Sequence, residues 1–281
     1  MNRIKGFLLV GTCMLVCSVS TVRGGTATGV TGLYYTGIYN RGGLIANGST
    51  DSHWSVTYAA ANGIADNPTY QGAAYVVSNS NNDWGWTDSN TAQWIVPPGA
   101  SNGYSLPGNG TTGANVGSYV YTLAFNIAGN NIGSAVTNQV TITLTLAADD
   151  QASVYVNPTL NANGSIDTAN SKLGGSVFSA WNNTQAITLQ NFDNGTNADN
   201  ARFVIGTNYL VIKVDNTNSI VGDSTATDIN PSGLLVYQTG SAATVIGTKL
   251  VPEVGGWLPV LGALGLFCWR RFRTAKLASV A

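Results

Sequence analysis

The stretch QVTITLTLA, residues 139–147, alternates apolar and polar side chains at every second position. This period of two places Val140, Ile142, Leu144 and Leu146 on one face of an extended strand and the threonines on the other. Similar short runs, rich in β-branched and aromatic residues, recur along the chain between Gly- and Asn-rich segments, and no helical period accompanies them. The sequence therefore predicts an all-β body.

We predict an antiparallel two-sheet jelly-roll sandwich over residues 28–240, because short strands joined by turn-forming residues favour it over parallel βαβ units. One segment, 202–216, is interpreted as a hairpin that turns at Gly206-Thr207-Asn208. The other predicted strands are 33–39, 53–59, 73–77, 92–96, 119–127, 139–147, 153–157, 176–181, 186–190 and 233–238.

The composition argues against several classes of protein. Charged residues are only 9% of the chain, and between Thr28 and Leu250 five basic residues stand against twelve aspartates. So acidic a body lacks the Lys and Arg that phosphate contacts require, which argues against nucleic-acid binding. The cysteines, Cys13, Cys17 and Cys268, all lie in the apolar ends, so the body has neither a disulfide framework nor a thiolate metal site.

The N-terminus has the order of a secretory signal peptide, predicted over residues 1–27. A positive region comes first, an apolar region follows at 6–19, and small residues come next. The apolar region is short for a membrane span, which favours a cleaved signal over an anchor. Cleavage is expected after Ser20, Gly24 or Ala27.

The C-terminus is predicted to hold a linker, 241–250, and a hydrophobic membrane helix, 254–269. As a helix this run would be about 24 Å long, against about 30 Å of bilayer hydrocarbon, and Pro259 interrupts it. A basic cluster follows directly and is expected to stop transfer, with the C-terminus on the cytoplasmic side. Its arginines are Arg270, Arg271 and Arg273.

The residues before this run carry a resemblance to a known family. The motif consists of Val251, Pro252 and Glu253, and Glu253 is the only glutamate of the chain. Together with the apolar run and the arginines, this motif resembles the PEP-CTERM sorting signal of exported bacterial proteins. That family usually has proline after the glutamate, where this chain has Val254. The resemblance implies that residues 251–281 are recognised by an exosortase-type membrane protease, which cleaves near the motif. A plain membrane anchor is the alternative.

The body resembles the galactose-binding-like jelly-roll domains of PEP-CTERM proteins over about residues 32–238. The matching stretches are GSTDSHW, AQWIVPP, YVYTLAFNI, LAADDQASVYVN, NYLVIKVDN and GLLVY. The stretches GLYY and DDQASVYVN also resemble PA14-type adhesin domains. The galactose-binding-like resemblance implies binding of extracellular carbohydrate or another polymer, although many such domains are only structural.

A loop at residues 82–88 is the main candidate ligand site. Trp84 and Trp86 offer flat apolar rings on which sugars stack, and Asp83 can accept hydrogen bonds from hydroxyl groups. The alternative is that one or both rings close the open end of the sandwich.

Two further groups are weighed as sites. The resemblance to PA14-type domains implies that a pair of aspartates such as Asp149-Asp150 binds Ca²⁺ and a sugar. Carboxylate oxygens are ligands that suit Ca²⁺. We favour a turn in which these aspartates cap backbone N–H groups, since spacing assigns no further ligand, and we predict no metal residue and no cofactor. His53, the only histidine, stands beside Asp51 and Trp54 without a nucleophile motif, so we expect a structural role for it.

These observations predict an exported, non-enzymatic protein, sorted to the cell surface or extracellular matrix, that binds or organises polysaccharide. Glycoside hydrolysis needs a placed pair of carboxylates, whereas the body has no glutamate and its aspartates lie mostly in turn-forming segments. A purely structural matrix protein is the first alternative. A secreted polysaccharide hydrolase is the weaker one.

Overall fold

The computed structural model of the protein describes residues 24–40, 43–61, 64–77, 89–98, 117–178, 183–191, 200–216, 232–237 and 243–246. Within these residues the chain is all-β, with twelve strands and one turn of 3-10 helix, which confirms the predicted class. The strands are β1 Ala27–Thr31, β2 Thr50–Ala61, β3 Gly72–Val77, β4 Trp94–Val96, β5 Gly117–Gly129, β6 Gln139–Asp149, β7 Gln151–Val156, β8 Leu173–Phe178, β9 Gln185–Gln190, β10 Gly206–Asn216, β11 Gly233–Tyr237 and β12 Ala243–Ile246; the 3-10 turn is Pro68–Tyr70.

The strands form one antiparallel sheet. Its main path has the order β12-β6-β11-β4-β3-β2-β5-β10-β7-β8, with β1 beside β5 and β9 beside β6. The sheet curls until β8 comes beside β9, so that it is nearly barrel-shaped. At this closure a Cβ added at Gly174 of β8 would lie only 2.4 Å from the side chain of Leu189 in β9. The concave faces of the strands therefore meet in one core.

Strand β6 supplies the inward row that the sequence predicts. Val140, Ile142, Leu144 and Leu146 are all buried, which confirms the alternation, and each such burial stabilises the fold by about 1.5–3 kcal/mol. The largest other side chains in this core are Trp54, Trp94, Tyr119 and Tyr121.

Asparagine side chains take the place of backbone groups where the strand ladders end. The Asn138 carboxamide accepts a hydrogen bond from Ala27 N–H at 2.7 Å and donates to its C=O at 2.9 Å, as a neighbouring strand would. The Asn200 amide donates to the C=O groups of Gly174 in β8 and Thr188 in β9, both at 2.8 Å, and so links the strands at the closure. Backbone groups that the ladders leave unpaired are satisfied in this way.

A small second core lies on the convex face of the sheet. Tyr58, Val120, Tyr155 and Val211 form it, and Ile166 packs on them. Ile166 belongs to the connection between β7 and β8, so this connection folds back over the outer surface of the strands. The convex face is therefore partly covered in its central part.

The predicted strand at 33–39 is wrong. Thr36 donates its N–H to the C=O of Val236 and accepts from the N–H of Gln93, but these two bonds do not extend into a ladder. Gly37, at φ 67°, turns the chain away at once, a conformation that glycine adopts readily and that a strand does not continue through. The first strand of the body is β1, which the sequence analysis did not identify.

The predicted hairpin at 202–216 is also wrong. Strand β10 runs unbroken from Gly206 to Asn216 and pairs with β5 along its whole length. Asn208 is fully buried, accepts from Val204 N–H at 2.9 Å and donates to Val204 C=O at 2.8 Å. The Gly-Thr-Asn sequence therefore begins a strand, and its asparagine is a buried bridge.

One end of the barrel, which we call the acidic end, carries four of the six described aspartates. They are Asp66, Asp149, Asp150 and Asp215. The β6–β7 connection lies here, and Asp215 of β10 pairs with Gln151 at the start of β7. A strand of thirteen residues such as β5 separates this end from the other by about 40 Å.

The described chain begins and finishes at the opposite end, which we call the terminal end. Gly25 bridges to Val136 in the β5–β6 connection, and Ile246 pairs with Gln139 at the start of β6. Strand β12 lies inside the segment 241–250 that the sequence assigned to a linker. None of the described residues belongs to a helix long and apolar enough to cross a membrane.

Candidate ligand-binding surfaces

The predicted ligand residues Asp83, Trp84 and Trp86 lie outside the described residues. They fall between Val77, where β3 ends, and Ser89. The structure therefore describes the two points at which this stretch of chain leaves and rejoins the barrel, and those points define the surroundings of the candidate site.

Both flanks of the tryptophan stretch are held by one segment, residues 36–49. On the β3 side, Val76 N–H donates to Ser49 C=O at 2.9 Å. On the other side, the Gln93 amide donates to Ile45 C=O at 2.6 Å. Because one segment binds both flanks, the chain leaves and re-enters the barrel at a single fixed place, at the terminal end.

This segment exposes two large side chains beside that place. Tyr39 is 52% exposed and Leu44 48% exposed. They flank a narrow turn, in which Tyr39 N–H donates to Gly43 C=O at 3.0 Å and Ile38 bridges to Leu44. An exposed tyrosine ring suits the apolar face of a sugar ring. Sequence reasoning missed this surface, because it placed Tyr39 in a strand.

Asp51 fixes the segment to the barrel. Its buried carboxylate accepts backbone hydrogen bonds from Gly37 at 2.7 Å, from His53 at 2.8 Å and from Trp54 at 3.3 Å. One carboxylate therefore ties the turn at Gly37 to the start of β2. The Asp-Ser-His-Trp sequence therefore holds the segment 36–49 against the start of β2, and its tryptophan, Trp54, belongs to the core.

His53 also helps to hold this segment against β2. Its ring stacks on Tyr34, with centroids 3.8 Å apart and an interplanar angle of 19°. Its Nε2 lies 2.5 Å from Asn40 Oδ1, and its Nδ1 lies 3.5 Å from Asp51 Oδ1. Among the described residues, the ring contacts the Tyr34 ring, the Asn40 amide and the Asp51 carboxylate. None of these groups is the nucleophile that a catalytic triad requires. This arrangement supports a structural role for His53.

Asp149 and Asp150 form the β6–β7 connection at the acidic end, and the peptide bond between them is cis. Asp149 is buried, and Asp150 N–H donates to Asp215 C=O at 3.4 Å. The Asp215 carboxylate accepts from Lys213 Nζ at 2.8 Å and from the Ser118 hydroxyl. Among the described residues, no three His, Cys, Asp or Glu side chains are grouped closely enough to hold a metal ion.

The predicted sorting motif at 251–253 and the arginines predicted to stop transfer lie outside the described residues, the last of which is Ile246. Only four residues separate Ile246 from Val251. A chain of that length spans at most about 18 Å when fully extended. The motif is therefore tethered closely to the terminal end of the barrel.

No protein-family model matches the chain, and no curated protein is significantly similar to it in sequence. Function is therefore inferred from the residues and the geometry of the chain itself.

Proposed function

We propose that the protein is exported, sorted to the cell surface or extracellular matrix by its C-terminal segment, and binds or organises extracellular polysaccharide without catalysing a reaction. One observation carries the binding proposal. The tryptophan stretch leaves and rejoins the barrel against a segment that is fixed by Asp51 and exposes Tyr39 and Leu44. Aromatic rings beside hydroxyl and amide groups on a rigid scaffold are the features that neutral sugars require.

The proposal includes a finer description of the fold, in which the barrel-shaped sheet is a two-sheet jelly roll of the galactose-binding-like kind. The register of the β2–β3 pair shifts between Thr50 and Ser55, which supports a bend between two layers at this point. Core side chains from strands on both sides of the bend pack in a single cluster, as the facing layers of a sandwich do.

The surroundings of two of the described carboxylates, those of Asp51 and Asp215, support binding rather than hydrolysis. A glycosidase places two carboxyl groups about 5–10 Å apart across the scissile bond. Here the Asp51 carboxylate is buried and accepts three backbone N–H groups, while Asp215 is held by Lys213 and Ser118. Both carboxylates are occupied by the protein itself.

The binding proposal predicts the effect of the double substitution Trp84→Ala with Trp86→Ala. We expect the affinity for the bound polysaccharide to fall at least about tenfold, because losing two stacking rings costs about 1.4 kcal/mol or more. The melting temperature should change little. A glycan array screened with and without Ca²⁺ identifies the ligand, and tryptophan fluorescence during titration then measures its affinity.

The control is Trp94→Ala, which removes a core ring and should lower the melting temperature strongly. A similar fall in the melting temperature of the Trp84/Trp86 variant would mean that these rings also belong to the core. The proposal that they form a binding site would then be wrong. Unchanged binding at an unchanged melting temperature would favour a purely structural matrix protein. Release of reducing sugar from a polysaccharide would favour a hydrolase.

The contacts of the first described residues predict the mature N-terminus. Gly25 N–H donates to Ala135 C=O at 2.8 Å and Gly25 C=O accepts from Thr137 at 2.8 Å, so cleavage after Ala27 would remove bonds that hold the edge of the barrel. We expect the exported protein to begin at Thr21 or Gly25. Mass spectrometry of its N-terminal peptide tests this, and a start at Thr28 would contradict it.

A further inference from the structure

We propose that the terminal end of the barrel lies on the lipid bilayer in the membrane-inserted precursor, with Ile132 entering the interface between headgroups and acyl chains. The inference rests on the proposed membrane insertion of residues 254–269 and adds which face of the body meets the membrane.

The chain between the barrel and the apolar run is short. Ile246 pairs with Gln139 at the terminal end, and seven residues separate it from Val254, where the apolar run begins. Fully extended, this tether reaches about 28 Å, which is less than the length of the barrel, about 40 Å along β5. The tether is therefore too short for the acidic end to face the bilayer with the terminal end directed away from it.

Exposed apolar side chains are more numerous at the terminal end than at the acidic end. Seven large ones are exposed among the described residues, and only Ile64 lies at the acidic end, where its segment bridges back to the end of β2. Three of the other six lie in connections at the terminal end: Tyr39, Leu44 and Ile132. The remaining three, Leu160, Leu173 and Tyr209, lie along the side of the barrel, Tyr209 opposite Ala124 in the middle of β5. Apolar surface gathered at one end marks an interaction site.

Ile132 is the most exposed of these side chains, at 86%, and a well-held turn presents it. Gly133 N–H donates to Ile205 C=O at 2.8 Å, and Ile205 N–H donates to Ser134 C=O at 2.9 Å. The Asn131 amide donates in addition to Gly24 C=O at 3.3 Å. The isoleucine is thus held outward by bonds on both sides of the turn, as a side chain that inserts into an interface must be.

The charges of the described residues favour a bilayer as the occupant. Four aspartates lie at the acidic end, where Lys213 pairs with one of them, Asp215. At the terminal end Asp51 is buried, whereas Arg202 is exposed beside the bridge of Val204 to Ala135. Anionic headgroups attract such a cation and repel the acidic end. The barrel is therefore oriented by both charge and apolar surface, with its terminal end towards the membrane.

The test uses the full-length precursor with Cys13, Cys17 and Cys268 replaced by Ser. An environment-sensitive dye is attached through Ile132→Cys or, as the matched control, through Ile64→Cys, an exposed isoleucine at the opposite end. Each protein is reconstituted into vesicles of phosphatidylethanolamine and phosphatidylglycerol, with or without lipids brominated near the headgroup. Dye at 132 should shift to the blue and lose most of its fluorescence to bromine, and dye at 64 should do neither.

A second reporter, Leu44→Cys, in the exposed turn between β1 and β2 at the terminal end, should show a smaller shift in the same direction, and it replaces the first if the labelled Ile132 variant does not fold. Flotation of the vesicles separates the possible failures. Protein that floats with the vesicles but shows equal quenching at 132 and 64, or none, overturns the orientation and leaves membrane insertion standing. Protein that does not float overturns both.

Discussion

Replacement of Asn208 by Ala is expected to lower the free energy of unfolding by about 3–5 kcal/mol. The side chain is fully buried and makes four hydrogen bonds, with Val204 N–H, Val204 C=O, Gly206 C=O and the Asn157 amide. Its removal leaves several buried polar groups without partners, each costing about 1–3 kcal/mol. Chemical denaturation of the exported protein measures the change.

Two variants control for this interpretation. Asn126→Ala, at an exposed position of β5, should change stability by less than about 0.5 kcal/mol, as most surface substitutions do. Asn208→Asp keeps the shape but cannot donate to the two carbonyl groups, so it should destabilise as well. A loss below about 1 kcal/mol for Asn208→Ala would mean that water or a shifted backbone replaces the side chain.

The same residue shows where sequence reasoning stopped. The Gly206-Thr207-Asn208 sequence has the composition of a turn, and locally nothing distinguishes it from one. Strand β10 begins there because β5, about eighty residues earlier in the chain, pairs with it from Ile127 onward. The partner is distant in sequence, so the local pattern could not reveal that Asn208 replaces a peptide group inside the barrel.

Strand β6 shows the opposite case. Val140 and Ile142 could be assigned to the core because a period of two is a local property, and burial of one face enforces it. The segment at 33–39 has similar aromatic and β-branched residues, but Gly37 takes a positive φ there, and Asp51 holds its N–H. A single backbone angle, not visible in the residue types, separates a strand from an exposed turn.

The candidate sites, too, include features that the local sequence reveals and features that only the fold brings together. The tryptophan pair was predicted as a site from its residue types alone, but Tyr39 and Leu44 lie near the flanks of that stretch because Val76 and Gln93 bind the segment at 36–49. Pairings between separate parts of the chain are not encoded in any one motif. A sorting signal, in contrast, is defined by the order of its parts along the chain, and that order can be read without a fold.

That order leads to the prediction with the largest expected effect. Replacing the motif residues together, Pro252→Ala with Glu253→Ala, should prevent processing and leave nearly all of the protein in the inner membrane of its native host. The apolar run and Arg270, Arg271 and Arg273 remain in this variant, and we expect them still to stop transfer. Membrane fractionation followed by intact mass spectrometry of the surface-released protein measures the effect.

The matched control is Lys249→Ala, which removes a charge close to the motif but outside it and should leave processing intact. If the unaltered chain is recovered from the surface with Ala281 as its last residue, no sorting cleavage takes place, and the segment is a plain anchor. If the double variant is released as efficiently as the control, cleavage does not depend on the motif. The short tether after Ile246 means that a protease cleaving between the motif and Val254 would act within about 28 Å of the barrel.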